Sequence, residues 1–324
     1  MPHTKHLLLG AVAAIALLCC NKRYDPGVSA ELPGPYTNVA PYDKVKPKAK
    51  AVTVNATAES SFYGNSGTRY VVPANAFMFS DSTPAVGSIQ LQVAEMLTPT
   101  DMFFSGVMPI SPEGPLISGG EVLIQATQNG RQLYLMPGKT MQIFLPQKSV
   151  PEPGMSVYLG TKSLTNESVM WTISTDTLNT ITYATDTIRV TTDTIGFVNA
   201  DKILTDTPST SGGGGGVGGN ALPGADSISI EIFPHDHRPV DSFRLYVYLS
   251  GTNSITPLPG TVGGKLRIRL QRRFATIVAV GFFNGYIYAD NVTKAIKGDP
   301  TYRYDIHPYK MTAEELRAML DKLQ

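Results

Sequence analysis

His235-Asp236-His237 is the triplet in this sequence whose residue types and spacing could hold a metal. On an extended strand, residues two apart share a face, so both imidazoles could reach one zinc ion. A third ligand would have to come from His307 or Asp236. Pro234 and Pro239 bracket the triplet, which predicts a polar loop, and a metal-dependent hydrolase centred on His235 and His237 stands second to that. Serines are plentiful, but a nucleophile elbow needs Gly-x-Ser-x-Gly, and Gly64-Asn65-Ser66-Gly67 is one residue short. Glu59, Glu95, Asp101, Glu113 and Glu121 read as ordinary strand-end and loop acids, with no pair marked out for glycoside cleavage. Trp171 is the only tryptophan; in a Thr-rich strand it reads as core rather than as a sugar platform. No catalytic set is complete. The expectation is a chain that is not an enzyme, with no cofactor and no resident metal.

The two cysteines, Cys19 and Cys20, are the remaining reactive groups, and none follows in the next 304 residues. Disulfides and thiolate zinc sites are therefore excluded from the folded part. Lys5 and the amino terminus precede Leu7 to Leu18, an apolar run of 12 residues. That length suits a signal peptide and is too short to span a bilayer. Leu17-Leu18-Cys19-Cys20 resembles the lipobox of bacterial lipoproteins, with Leu at minus three and a small residue at minus one. Cys20 fits this pattern, and Cys19 is the alternative, with bulky Leu18 next to the cut. The resemblance implies removal of residues 1–19 and a diacylglycerol anchor, with palmitate-type chains, on the thiol. Asn21 stands where Asp would imply retention in the inner membrane, so an outer-membrane location in the cell envelope is expected. Lys22 and Arg23 replace the acidic cluster that some bacteria use for surface display, and which face the protein occupies stays open.

Removing Lys5 with the leader leaves 26 basic against 26 acidic side chains. A neutral chain has no long-range field to draw in nucleic acid, so no such partner is expected. Charged residues make up 16%, below the usual quarter, and 30 Gly and 24 Pro suit short strands joined by turns.

The elements follow from that. Residues 20–50, with five prolines, read as a tether. From Ala51 the pattern has period two. Ser88 to Val93, Val122 to Ala126 and Met141 to Leu145 alternate, each bounded by Gly, Pro or Asn. Asn129-Gly130 and Asn284-Gly285 predict tight hairpins. Thr-Asp-Thr recurs at 175–177, 185–187, 192–194 and 205–207 at unequal intervals, which is neither a true repeat nor a calcium loop. Gly212 to Gly216 and Gly218-Gly219 make 207–226 a linker; no Lys-Ser/Thr follows, so it is not a phosphate loop. In Leu266 to Leu270 the alternating arginines, with Arg272 and Arg273, predict a protected edge strand. Thr312-Ala313-Glu314-Glu315 is a capping box, and Leu316, Met319, Leu320 and Leu323 give the one helical stripe. The predicted fold is mostly β. Two antiparallel β-sandwich-like domains, 51–206 and 227–324, are joined by the Gly-rich linker, and one short helix ends the chain.

Tyr70-Val71-Val72-Pro73-Ala74-Asn75-Ala76-Phe77, then Gly87 and the strand Ile89 to Val93, is similar to the β-sandwich domain of ankyrins, zonula occludens proteins and netrin receptors. Pro115 to Gly120 and Pro137 to Pro146 match its later half, and Val72 replaces the usual isoleucine. The resemblance covers 52–146. The same landmarks, continued by Gly196 to Lys202, also look like a group of uncharacterised lipoproteins of Gram-negative bacteria. Both resemblances imply a non-catalytic module that contacts an envelope protein partner while the lipid holds it to the membrane. A glycan-binding accessory for polymer uptake is the alternative, with Tyr286 and Tyr288 as candidate sugar platforms.

Overall fold

The computed structural model describes residues 40–162, 169–204, 226–232, 243–257, 265–270, 274–295 and 303–323. A 3-10 turn, η1 (Ala40–Lys44), leads into β1 (Lys50–Asn55), β2 (Ser60–Tyr63), β3 (Arg69–Val72), β4 (Phe77–Met78) and β5 (Ser88–Met96). Helix α1 (Pro99–Ser105) precedes β6 (Ile110–Ser111), β7 (Gly114–Gln128), β8 (Arg131–Gln132), β9 (Tyr134–Leu135) and β10 (Met141–Pro146). Then come β11 (Ser156–Lys162), β12 (Val169–Ile173), β13 (Thr180–Tyr183), β14 (Thr187–Thr192) and β15 (Phe197–Ile203). The second half holds β16 (Asp226–Ile232), β17 (Phe243–Leu249), β18 (Ile255–Pro257), β19 (Lys265–Leu270) and β20 (Phe274–Phe283). It ends with β21 (Tyr286–Ala295), β22 (Arg303–Ile306), β23 (Tyr309–Met311) and α2 (Ala313–Asp321). The protein is mostly β, as its alternating segments predict.

One sheet runs β1-β5-β7-β15-β11-β12, with β6 and β8 paired to β7; a second runs β13-β14-β10-β3-β2. They face each other across a buried core. Ile89, Leu91 and Val93 of β5 and Val122 and Ile124 of β7 meet Ile143 and Leu145 of β10 and Ile188 and Val190 of β14. This is the face-to-face packing of two alternating sheets. The hairpins form where Asn-Gly allows them. Asn129 and Gly130 have φ of 52° and 75°, and Asn284 and Gly285 have 48° and 79°, the paired positive values of a type I′ turn.

The first sheet is covered on its other face too. Leu123, Phe197, Tyr158 and Met96 point away from the sandwich, into a second core with Phe103 and Phe104 of α1. Tyr246, Ile255, Val278, Val280 and Ile287 reach the same core from the sheet β18-β17-β20-β21-β23, and Leu316 and Leu320 from α2. Residues on both sides of 205–225 therefore share one apolar interior. The expected linker lies outside the described residues up to 225.

Three features differ from the expectations. The fold begins before Ala51. Tyr42 is buried, with its ring edge-on to Phe104 at 5.1 Å and to Phe103 at 6.2 Å, so Tyr42 and Val45 of the expected tether belong to the core. Helix α1 carries no stripe because all seven of its residues are buried; Thr98 caps it and Gly106 ends it at φ 69°. The C-terminal helix docks on the first half as well as on the second. Arg317 of α2 binds Asp101 of α1 at 2.6 Å and the Val45 carbonyl at 2.7 Å. The one parallel pair among the described strands is β16 with β22. Strand β19 forms an edge of the sheet β19-β16-β22, where the arginine pattern places it.

Candidate functional site

The densest polar cluster is buried on β7 and β15. Strand β7 reads Ser118-Gly119-Gly120-Glu121, and its register with β15 slips between Asn199 and Asp201. Gly120 has φ 121°, and a Cβ on Gly119 would lie 2.9 Å from the Ala200 carbonyl oxygen, so the two glycines permit the bulge. That slip brings Ser118, Glu121, Asn199 and Asp201 onto the face of the second core, all buried. The Asn199 amide donates to Glu121 Oε1 at 3.2 Å and to Asp201 Oδ2, and its own oxygen accepts from the Ser118 hydroxyl at 3.3 Å. Glu121 Oε2 and Asp201 Oδ1 have no hydrogen-bond partner. Burial, then the Asp201 carboxyl, pushes Glu121 well above the usual carboxylate range. Burial pushes Asp201 up as well, against the opposing hydrogen bonds of Ser118, Asn199 and the Gly119 backbone. Paired carboxyls of this kind do acid-base chemistry where a substrate can reach them. Here neither residue exposes any surface, so the pair faces the protein interior alone.

Glu95 is the second buried acid. It accepts the backbone N–H of Ser66 at 2.7 Å and of Thr68 at 2.9 Å, and so fixes the loop 64–68. A Cβ on Gly64 would fall 2.3 Å from the carboxylate, which is why that position is glycine. Ser66 thus belongs to a loop folded around an acid. Asp101 is the third, bound to Arg317. Glu95, Asp101 and Glu121, read from the sequence as ordinary strand-end and loop acids, are buried; only Glu59 and Glu113 of that group are exposed. The signal for Glu121 is Leu123, an apolar residue on the face where strict alternation asks for polar ones.

Among the described residues two surfaces stand out. Lys44, Tyr286, Ile287, Lys310, Met311 and Thr312 line a groove of about 650 Å³ beside the start of α2. Tyr286 is half exposed there, with the Lys310 ammonium 3.2 Å from its ring centre. Tyr288 is buried, its ring edge-on to Phe283 at 5.8 Å, so the structure separates the two tyrosines. The other surface is the sandwich edge formed by β12 and β13, the end strands of the two sheets. Met170, Ile173, Leu178 and Tyr183 are each about 40% exposed or more along it. Trp171, between them in sequence, is fully buried and donates its indole N–H to the Met108 carbonyl at 3.0 Å, as its core reading predicts.

Cys19, Cys20, His235, Asp236 and His237 lie outside the described residues. His307 is exposed, and its backbone N–H donates to Asp290 at 2.8 Å. Among the described residues no group of three or more His, Cys, Asp or Glu side chains is placed to hold a metal, and no helix is long and apolar enough to cross a membrane. Comparison of the chain with protein-family models, with curated proteins and with solved structures finds no match.

Proposed function

We propose that this chain is a lipid-anchored envelope protein that binds or scaffolds another protein and carries out no catalysis itself. The observation that carries this reading is the β12–β13 edge. Four large apolar side chains are exposed on the end strands of both sheets and on the six-residue turn joining them. Open edges with apolar side chains invite pairing with another chain, and soluble proteins guard them unless a partner covers them. Strands β12 and β13 carry no lysine, arginine or proline that would guard them. The lipobox-like leader and the likeness of 52–146 to a protein-contacting sandwich point the same way.

A photo-crosslinking residue at Ile173, introduced in living cells, tests this. The expected result is one defined envelope protein, lost when Met170→Asp is added. Capture of nothing at this edge, or capture that ignores Met170→Asp, would overturn the reading. A glycan-binding accessory is the second reading, favoured by Tyr286 on the groove wall. It requires polysaccharide binding that Tyr286→Ala abolishes.

A further inference from the structure

Loop 250–254, between β17 and β18, lies across the bulge that carries the buried acids. The Ser118 N–H donates to the Thr252 carbonyl at 3.0 Å. The Asn253 amide donates to the Leu97 carbonyl at 3.1 Å and to the Ser118 carbonyl at 3.2 Å. The side chain of the same Ser118 donates to Asn199, which in turn holds Glu121 and Asp201. One continuous polar chain therefore runs from the two carboxyls to the loop of the C-terminal half.

Among the described residues no cation acts on the pair. On β5, Met96 stands opposite Glu121, and Glu95 turns to the other face. On β11, Tyr158 stands opposite Asn199, with Glu113 also acting on its phenol. Lys202, next to Asp201 on β15, binds Glu152 and the Pro153 carbonyl instead. The loop contributes Thr252, Asn253 and Ser254, all uncharged. Among the described residues no lysine, arginine or histidine bonds either carboxyl, and each carboxyl has one oxygen without a donor. A buried pair in that state is tolerated when it holds protons and is costly once ionised, because two like charges then meet in a dry site where burial outweighs the hydrogen bonds Asp201 receives.

We propose that Glu121 and Asp201 form a proton-controlled latch: protonated, they let loop 250–254 close over the β7 bulge and join the two halves; ionised, they draw water in and release it. The sign follows from the raised carboxyls. The folded state binds their protons more tightly than the unfolded chain does. The latch holds fully below the ordinary carboxyl range and loosens as pH rises through the raised values.

Hydrogen exchange of the full mature chain in detergent micelles, with intrinsic rates corrected at each pH, reads the latch at the Ser118 amide. As pH rises above the ordinary carboxyl range, its protection should fall by roughly tenfold per pH unit wherever one proton is released. Amides of the β20–β21 hairpin serve as control and should not follow. Glu121→Gln and Asp201→Asn, which keep the shape of neutral carboxyls, should each remove one proton from the profile, and the double variant should flatten it; either single variant serves as the test should the other fold poorly. Protection at Ser118 that ignores pH in the native chain would overturn the proposal. So would a native profile flattened by calcium and restored by a chelator, which would put a cation where the protons are assigned.

Discussion

Glu95 and Glu121 come from neighbouring strands, and the chain accommodates their burial in opposite ways. Two backbone N–H groups of loop 64–68 converge on Glu95, and glycine at 64 makes room for its carboxylate. Glu121 receives one side-chain amide and shares it with Asp201. Glu95→Ala would leave the Ser66 and Thr68 amides without their acceptor. It should cost about 1–3 kcal/mol in urea unfolding, with Glu95→Gln recovering part of the loss. A variant as stable as the native chain would show that the loop does not depend on the acid. Apart from Leu123, which marks its face of β7 as apolar, little in the local sequence shows these burials. A carboxyl at 121 reads the same in a strand with one wet face as in one covered twice, and only the second core decides between them.

At the level of elements, the sequence is most readable where one residue pair dictates a backbone. Asn129-Gly130 and Asn284-Gly285 each close a hairpin, because few other pairs tolerate two consecutive positive φ values. The capping box at Thr312 is equally plain: Thr312 accepts from the Glu315 N–H at 3.1 Å, and Glu315 reaches back at 2.7 Å. Helix α1 has the matching signal, Thr98 followed by Pro99 and Asp101, but seven buried residues leave no polar face to set a period. What the stripe of α2 does not reveal is its partner. Leu316 and Leu320 are buried in the core that α1 and η1 also line, and Arg317 ties the helix to both. Leu316→Ala should therefore cost about 2–5 kcal/mol. It should also raise hydrogen exchange in α1, more than 200 residues earlier in sequence, as strongly as in the sheet β17–β21. A response confined to the second half would mean that the helix does not join the two.

Among the described residues the three largest sheets stack with the first in the middle, a sandwich on one face and a mixed helix-and-sheet cover on the other. Composition announces the β layers but not their stacking, since the second core draws its residues from segments separated by 205–225. On the proposed reading a formally neutral chain is held by its lipid rather than by charge, and acyl chains of that kind contribute about 0.8 kcal/mol per buried methylene. The proposed anchor would turn the β12–β13 edge into a fixed platform, able to hold one partner at the membrane. Phase partitioning in a cloud-point detergent, followed by mass measurement of the amino-terminal peptide, tests this most directly. The native chain should enter the detergent phase and begin at an acylated Cys20, and Cys20→Ala should stay in water while Cys19→Ala partitions as the native chain does. A native chain that stays in water with its leader uncut, or with a bare thiol at Cys20, would contradict the account.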